Sequence, residues 1–588
     1  MPMKTPLRHL VLAFALPALM TAGIRAAEPT DINALIARGD ALFHQPASCW
    51  VCHGEKAEGR VGPSLQFGPT PFDIRYQFSA NPQMAPLREV LNPTSEDFIA
   101  LSVFLRNMNG IATTAEDLEN LTLTLNSVQD FDAVPDYFMT ERDQAVAEIE
   151  SFDTVLESWQ RRSKEGNIRH DYQVRAVAEF DAGPAKFTPQ SGKTYFYENV
   201  GTAGGFRPGA APPPESPQVV VGDAETKEVI ASYMIPKELR GGVHTTVMSP
   251  DGKFLYIIGA RPFSTAKEVF SLTTPQSLLK VDALTLQPVK QLMIGSRLHH
   301  AQIFQDRYIL MDSFVRDQNG IDIMLFDPQT DTMVGGVRSE ELGGSPYTAW
   351  TDDRYIYVLM EPLGYGTTLG DKTWSGFLAA GQFSRGQLTT IRPFWIAKID
   401  PQSWEVVKEY PYPGYRADWI AFDAAKENMY VTAGASANVS KINIETGKIV
   451  WTTPTGSGPY GVNLNTDESE IWVADKGETT GMFGRTVSVI DSATGRQLQT
   501  LFSGYQVDHL LLAPNGKEFW ATSNGEGRIY VFDEATHEQS HVIDMPGFGD
   551  PHGLVWVHYD DRGQSRVVRD QGGFHNGIDP RLGNALDY

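Results

Sequence analysis

From residue 190 onward the chain alternates apolar and polar residues in short runs. "VHTTVMSPDGKFLYIIG" (243–259) and "LLLAPNGKEFWATS" (510–523) each hold two such runs around a D-G or N-G pair. That is the pattern of two antiparallel strands joined by a tight turn. A second phrase follows each hairpin: an apolar residue, usually Asp, a short turn, then another strand. It recurs as "VGDAETKEVI" (221), "VDALTLQPVK" (281), "FDPQTDTMVG" (326), "IDPQSWEVVK" (399), "INIETGKIVW" (442), "IDSATGRQLQ" (490) and "FDEATHEQSH" (532). Seven copies, spaced by roughly 40–75 residues, predict seven four-stranded units arranged radially, a β-propeller over 189–588. Eight blades is the alternative count. The first copy lacks its opening strand, and "DPHGLVWVHYDDRG" near the C-terminus reads as an opening strand with no phrase after it. The chain end is therefore expected to close the ring against the first unit.

The pattern before residue 190 differs. "DINALIARGDALF" (31–43) and "TSEDFIALSVFLRNM" (94–108) have helical periodicity, the second with Thr94 or Ser95 as its cap. Residues 113–188 are acidic and helix-compatible with a break at Pro135, and they are expected to form a helical linker. The N-terminus has Lys4 and Arg8, an apolar run from Leu10 to about Met20, then small residues at Ala26 and Ala27. This is the order of a secretory signal peptide over 1–27, too short to span a bilayer. It predicts a protein without a membrane span, exported to the periplasm. The fold class is thus mainly β: an all-α domain over 28–112, the linker, then the propeller.

Composition adds two constraints. The net charge of −23 argues against a nucleic-acid partner. The only two cysteines, Cys49 and Cys52, lie in "PASCWVCHGEK" with His53 immediately after. A redox disulfide or half a zinc site would account for the cysteines alone. C-x-x-C-H is the attachment sequence of a c-type heme, the two thiols anchoring the porphyrin and the histidine reaching the iron.

The surroundings resemble class I cytochromes c over roughly 31–110. "VGPSL" (61–65) is similar to the stretch whose proline packs beside the proximal histidine, and "NPQMAPL" offers Met84 in a loop before the last helix. The resemblance implies heme c held by Cys49, Cys52, His53 and Met84, with Met108 as a competing sulfur. His44 lies too close to the anchor and is expected on the surface.

In a propeller the first strand of each blade lies nearest the axis. Aligned on their hairpins, the seven strands begin "GGVHTT", "SRLHHAQ", "GSPYTAW", "YRADWIA", "SGPYGVN", "QVDHLLL" and "GDPHGLV". One repeat position therefore holds His244, His299 with His300, Tyr347, Asp418, Tyr460, His509 and His552. Five of the chain's 13 histidines converging at one channel mouth predict a metal or cofactor site, because packed imidazoles otherwise need many partners. The bland alternative is a polar funnel.

Two resemblances bear on the site. The segment around His244 resembles that of the d1-heme axial histidine in cytochrome cd1 nitrite reductases and their relatives, which also join a cytochrome c domain to a propeller; this implies His244 as an axial ligand. That propeller has eight blades, and Asp418 stands where it would have a pocket histidine. The "LHH" pair looks like the copper propellers of nitrous oxide reductase and thiocyanate dehydrogenase. Imidazole without thiolate suits copper. The expectation is an oxidoreductase acting on a small substrate. His244, His299, His300, His509 and His552 would hold copper, and Asp418, Tyr347 and Tyr460 would serve catalysis. Glu361 and His575 could reach the site from loops. Heme c would exchange electrons with a soluble carrier such as a cytochrome c or cupredoxin. A d1-heme enzyme or a non-catalytic heme carrier is the alternative.

Overall fold

The structure is a computed structural model. It describes residues 31–45, 49–80, 84, 87, 90–123, 125, 174–202, 214–239, 243–260, 277–294, 296–316, 321–342, 345–361, 395–411, 417–477 and 484–588. The predicted signal peptide and residues 126–173 of the predicted linker lie outside them. No helix among the described residues is long and apolar enough to cross a membrane.

The N-terminal part is helical. Asp31 caps the helix Ile32–His44 by accepting from the Asn33 N–H, and Leu35, Gly39 and Phe43 form its buried stripe. A reciprocal box between Thr94 and Asp97 starts the helix Ser95–Met108. The two helices touch at Gly39, where a Cβ would sit 2.2 Å from the Ala100 carbonyl oxygen. Glycine is what permits that approach.

The remainder is a mainly β, seven-bladed propeller: seven sheets are present among the described residues. The alternative of eight blades is set aside. Blades 2 to 7 run in chain order, with inner strands Val247–Met248, Ser296–Phe304, Ser345–Thr351, Ala417–Phe422, Pro459–Leu464 and Val507–Leu512. Blade 1 is closed as expected. Thr194–Tyr197 pairs antiparallel with His558–Val555, so the C-terminal strand Val555–Tyr559 supplies the inner strand missing from the first unit. Large aromatic residues fill the blade interfaces, with Trp350, Trp419, Trp472, Trp520 and Trp556 all fully buried.

Two features depart from the sequence reading. Within the expected helical linker, Ala115–Leu123 is a helix, but Arg175–Glu179 is a strand added to the outer edge of blade 2, opposite Met293–Lys290. That edge offers unpaired backbone groups, and the pairing satisfies them regardless of the segment's helix propensity. The second feature is the chain end. After the inner strand of blade 1, Ser565–Arg569 adds a further strand on its channel side. The tail then crosses the channel floor. Asp570 accepts from the Ile303 N–H, Gln571 donates to the Ala301 carbonyl, Arg569 donates to the Leu512 carbonyl and to Asn463, and Arg581 donates to the Phe422 carbonyl. Four blades are thus tied together at the far ends of their inner strands, and one end of the channel is plugged.

The helical part docks on the propeller flank. Phe502 of blade 6 packs against the cluster of Leu35, Ala100, Val103 and Leu121. The Arg106 guanidinium lies 5.6 Å from the Phe502 ring centroid, and Arg485 donates to Asn120 at 3.1 Å.

Candidate functional site

The predicted ring residues come together at the mouth opposite the plug. Ring centroids lie 4.7 Å apart for His244 and His299, 4.2 Å for His299 and His300, 5.7 Å for His300 and His509, 6.0 Å for His509 and His552, and 5.2 Å for His552 and His244. The circuit is closed. Tyr347 packs 5.1 Å from His299, and the Tyr460 hydroxyl lies 3.0 Å from His300 Nε2.

Backbone irregularities create this density. The inner strands slip register between Pro346 and Ala349, Ala417 and Trp419, Pro459 and Val462, and Val507 and Leu510. Opposite His299 and His300 the slip falls between Met311 and Ser313. A bulge interrupts strict alternation. Neighbours such as His299 with His300, or Asp508 with His509, can then both serve the channel.

Carboxylates surround the imidazoles, and sequence reasoning missed them. His299, His300 and Asp312 form one group whose ligand-type atoms lie within 4.8 Å of one another; Asp508, His509 and His552 form another. Asp312 accepts from the backbone N–H of His300 and of Ala349, and burial lifts its carboxyl to about 8. His552 has a carboxylate on each ring nitrogen: Asp508 at 3.1 Å and Asp550 at 2.9 Å. Burial opposes its protonation, yet the two carboxylates carry it up to about 9. His509 is held down to about 3, chiefly by burial, and burial together with His299 and His509 lowers His300. These two rings are therefore neutral. Both ring nitrogens of His509 and Nδ1 of His300 are buried without a hydrogen-bond partner among the described residues. Such orphans are uncommon in native interiors.

Blade 5 contributes a residue that the alignment did not single out. Asp418 is buried, and its backbone carbonyl accepts from Thr348. Trp419 packs against the imidazoles, 4.9 Å from His509 and 6.1 Å from His300. His575 does not reach the cluster. It lies in the plug between Asp570 and Asp306. The physical reason is the tail's path across the channel floor, which carries His575 to the far ends of the inner strands. Glu361 ends the strand Ile356–Glu361 of blade 4.

The cysteine motif forms the short helix Cys49–His53. It borders a mostly apolar cavity of about 450 Å³, lined by Cys49, His53, Leu65, Phe78 and Met84 on the helical side. The propeller closes the other side with Trp451–Thr455 and Thr494–Gln497. His53 Nδ1 lies 2.8 Å from the Pro63 carbonyl oxygen, a contact that fixes the ring and leaves Nε2 for another partner. Gly62 is required here, because a Cβ would come 2.7 Å from His53 Cε1. Cys49 is buried and Cys52 exposed, and they are not bonded to each other. Met84 lines the cavity, whereas Met108 packs at the edge of the helical core. His44 is exposed and pairs with Asp40.

No family model and no curated protein matches the chain. Solved structures do. Dihydro-heme d1 dehydrogenase NirN is 14% identical over 93% of this chain and 100% of its own, with a TM-score of 0.40. Hydrazine synthase of Kuenenia stuttgartiensis is 14% identical over 54% of this chain and 90% of its own, at 0.39. A protein provisionally named 6-phosphogluconolactonase, from Bacteroides fragilis, is 14% identical over 63% and 100%, at 0.42. The matched proteins span different enzyme classes, and likeness at this level specifies no function.

Proposed function

We propose that the chain is a periplasmic oxidoreductase with two redox centres: a copper site in the histidine cluster and a covalently attached heme c in the cavity beside Cys49, Cys52 and His53. One observation carries the reading. Buried ring nitrogens of the neutral His300 and His509, without hydrogen-bond partners among the described residues, meet in the cluster, and Cys49 and His53 of the C-x-x-C-H motif line an apolar cavity. Neutral imidazole is a strong ligand for copper. We assign the ion to His244, His299, His300 and His509, with Asp312 and Asp508 as the nearest carboxylates. His552 would have to release a carboxylate to bind metal. We therefore assign it, with Tyr347 and Tyr460, to orienting a small substrate and its protons. Asp418 stays a candidate for that role through its place on blade 5.

In the cavity the residues fit a heme. Cys49 and Cys52 would form the thioether links, His53 would bind iron through Nε2, and Met84 would supply the sixth ligand. The bound group supplies one-electron chemistry, and a soluble cytochrome c or cupredoxin would exchange electrons with it. The alternative of a d1-type heme on His244 is less well supported, because imidazoles in mutual contact fill the volume a macrocycle would need.

The test is compositional. Protein expressed in a periplasm with copper supplied should hold one covalent heme and bound copper, by heme staining of a denaturing gel and elemental analysis. Absence of copper sinks the cluster assignment. A non-covalent green pigment extracted by acidified solvent would favour d1 heme.

A further inference from the structure

The cavity and the histidine cluster lie at opposite edges of the same blade. The cavity's propeller wall includes Trp451, on the outermost strand of blade 5 (Ile449–Pro454). The cluster is touched by Trp419, on the innermost strand of that blade. Four strands at about 4.8 Å spacing separate the two by roughly 14 Å.

One face of the blade joins them. Trp419 is paired with Thr432 and Ala421 with Tyr430; Tyr430 is paired with Lys441, and Lys441 with Trp451. Residues opposite one another on paired strands project to the same face. Trp419, Tyr430 and Trp451 therefore share one surface. The Tyr430 and Trp451 rings are 6.0 Å apart. Tyr430 and Trp419 are diagonal neighbours on that face, with backbone positions about 7–8 Å apart, the longest step of the file. Trp419 then reaches His509 at 4.9 Å. The outer member is held firmly: Trp451 Nε1 donates to the Ser492 carbonyl, and Gly495 presses on the indole, where a Cβ would sit 2.7 Å from ring carbon Cδ2.

Blade 6, the other wall of the cavity, offers no matching file among the described residues. Its tryptophan, Trp472, turns toward blade 7 and stacks on Phe519.

We propose that Trp451, Tyr430 and Trp419 form an electron relay across blade 5, conducting between the cavity and the histidine cluster. The relay rests on the two-centre reading above. Each event moves one electron: the occupant of one site is oxidised as the occupant of the other is reduced. No bond forms or breaks, and no proton needs to cross the blade. All three are positioning residues for the transfer and touch no reacting bond.

The test uses full-length protein whose heme, copper and both reduction potentials have been measured. A laser flash with a ruthenium tris-bipyridine dye reduces the heme, and its absorbance then follows transfer to the copper at a rate independent of protein concentration. Trp451→Leu, at the half-buried blade edge, and Tyr430→Phe, which keeps the packing, should each retain both groups and both potentials. Trp451→Leu should slow the transfer by an order of magnitude or more. Tyr430→Phe, which keeps the aromatic ring, and Trp520→Phe, an equally buried aromatic of blade 7, should both leave it unchanged. Wild-type protein lacking either group overturns the two-centre reading and the relay with it. Protein holding both, with an unaltered rate in Trp451→Leu, overturns the relay alone.

Discussion

Replacing Asp570 with Asn tests the channel plug directly. One carboxylate oxygen accepts from the N–H groups of Gly572 (2.8 Å) and Gly573 (3.1 Å) and faces His575 Nε2 at 2.9 Å. The other accepts from the Ile303 N–H at 2.7 Å. An amide of the same shape can keep one oxygen in place, but its NH2 group must then face a donor. That mismatch costs about 1–3 kcal/mol. Loss of the buried charge partner of His575 costs about 3–5 kcal/mol. The terms overlap, so a destabilisation of about 3–5 kcal/mol is expected, against a typical total of about 5–15 kcal/mol. It can be read by urea denaturation followed by tryptophan fluorescence at pH 6. The pH dependence gives a second check. Burial opposes protonation of His575, but Asp570 and Asp306 raise it to about 10, above the unfolded value of about 6.5. A raised pKa gives stability that is complete below the unfolded value and is lost as pH climbs toward the folded value. Wild type should therefore weaken from pH 6.5 toward 10, and the gap to Asp570→Asn should shrink. A variant within about 0.5 kcal/mol of wild type at pH 6, the range of an ordinary surface change, would refute the plug's structural role.

Other perturbations probe the two candidate centres. Gly62→Ala should push His53 off its Pro63 contact and lower covalent heme yield; normal heme staining would count against the cavity geometry. Cys52→Ser should abolish staining or accumulation. Met84→Ala should remove the sulfur-to-iron band of the oxidised spectrum, and an unchanged band would transfer that role to Met108. His300→Ala and His509→Ala should each lose bound copper while keeping heme. Neither side chain carries a blade's hydrogen-bond ladder, so the cost in stability should stay within about 1–3 kcal/mol, measured as a melting shift.

How much could be read beforehand depended on the repeat. The blade phrase and hairpins made seven the favoured count, with eight left open, and the unmatched "GLVWVHY" located the closing strand, because both are short-range patterns that recur. Five histidines were found at one site because the inner strands align. The carboxylates were not, for two reasons. Asp312 lies on the second strand of its blade, outside the aligned position. Asp508 directly precedes His509, where simple alternation sends it to the opposite face; the bulge between Val507 and Leu510 defeats that rule. A corresponding slip in blade 5, between Ala417 and Trp419, brings Trp419 against the imidazoles, which the alignment did not foresee. The edge strand Arg175–Glu179 was missed because its partner is supplied by blade 2, beyond any local pattern.

The closing strand of blade 1 also sets an order of assembly. Thr194 meets His558, 364 positions further along the chain, and His552 belongs to the segment that leads into that strand. A chain cut short before residue 550 would lack both the clasp of the ring and one wall of the histidine cluster. Completion of the cluster thus becomes a readout of how far synthesis has gone: the site is finished only once the segment from His552 through Tyr559 has emerged, and a copy truncated before it would have no finished site in which to do chemistry.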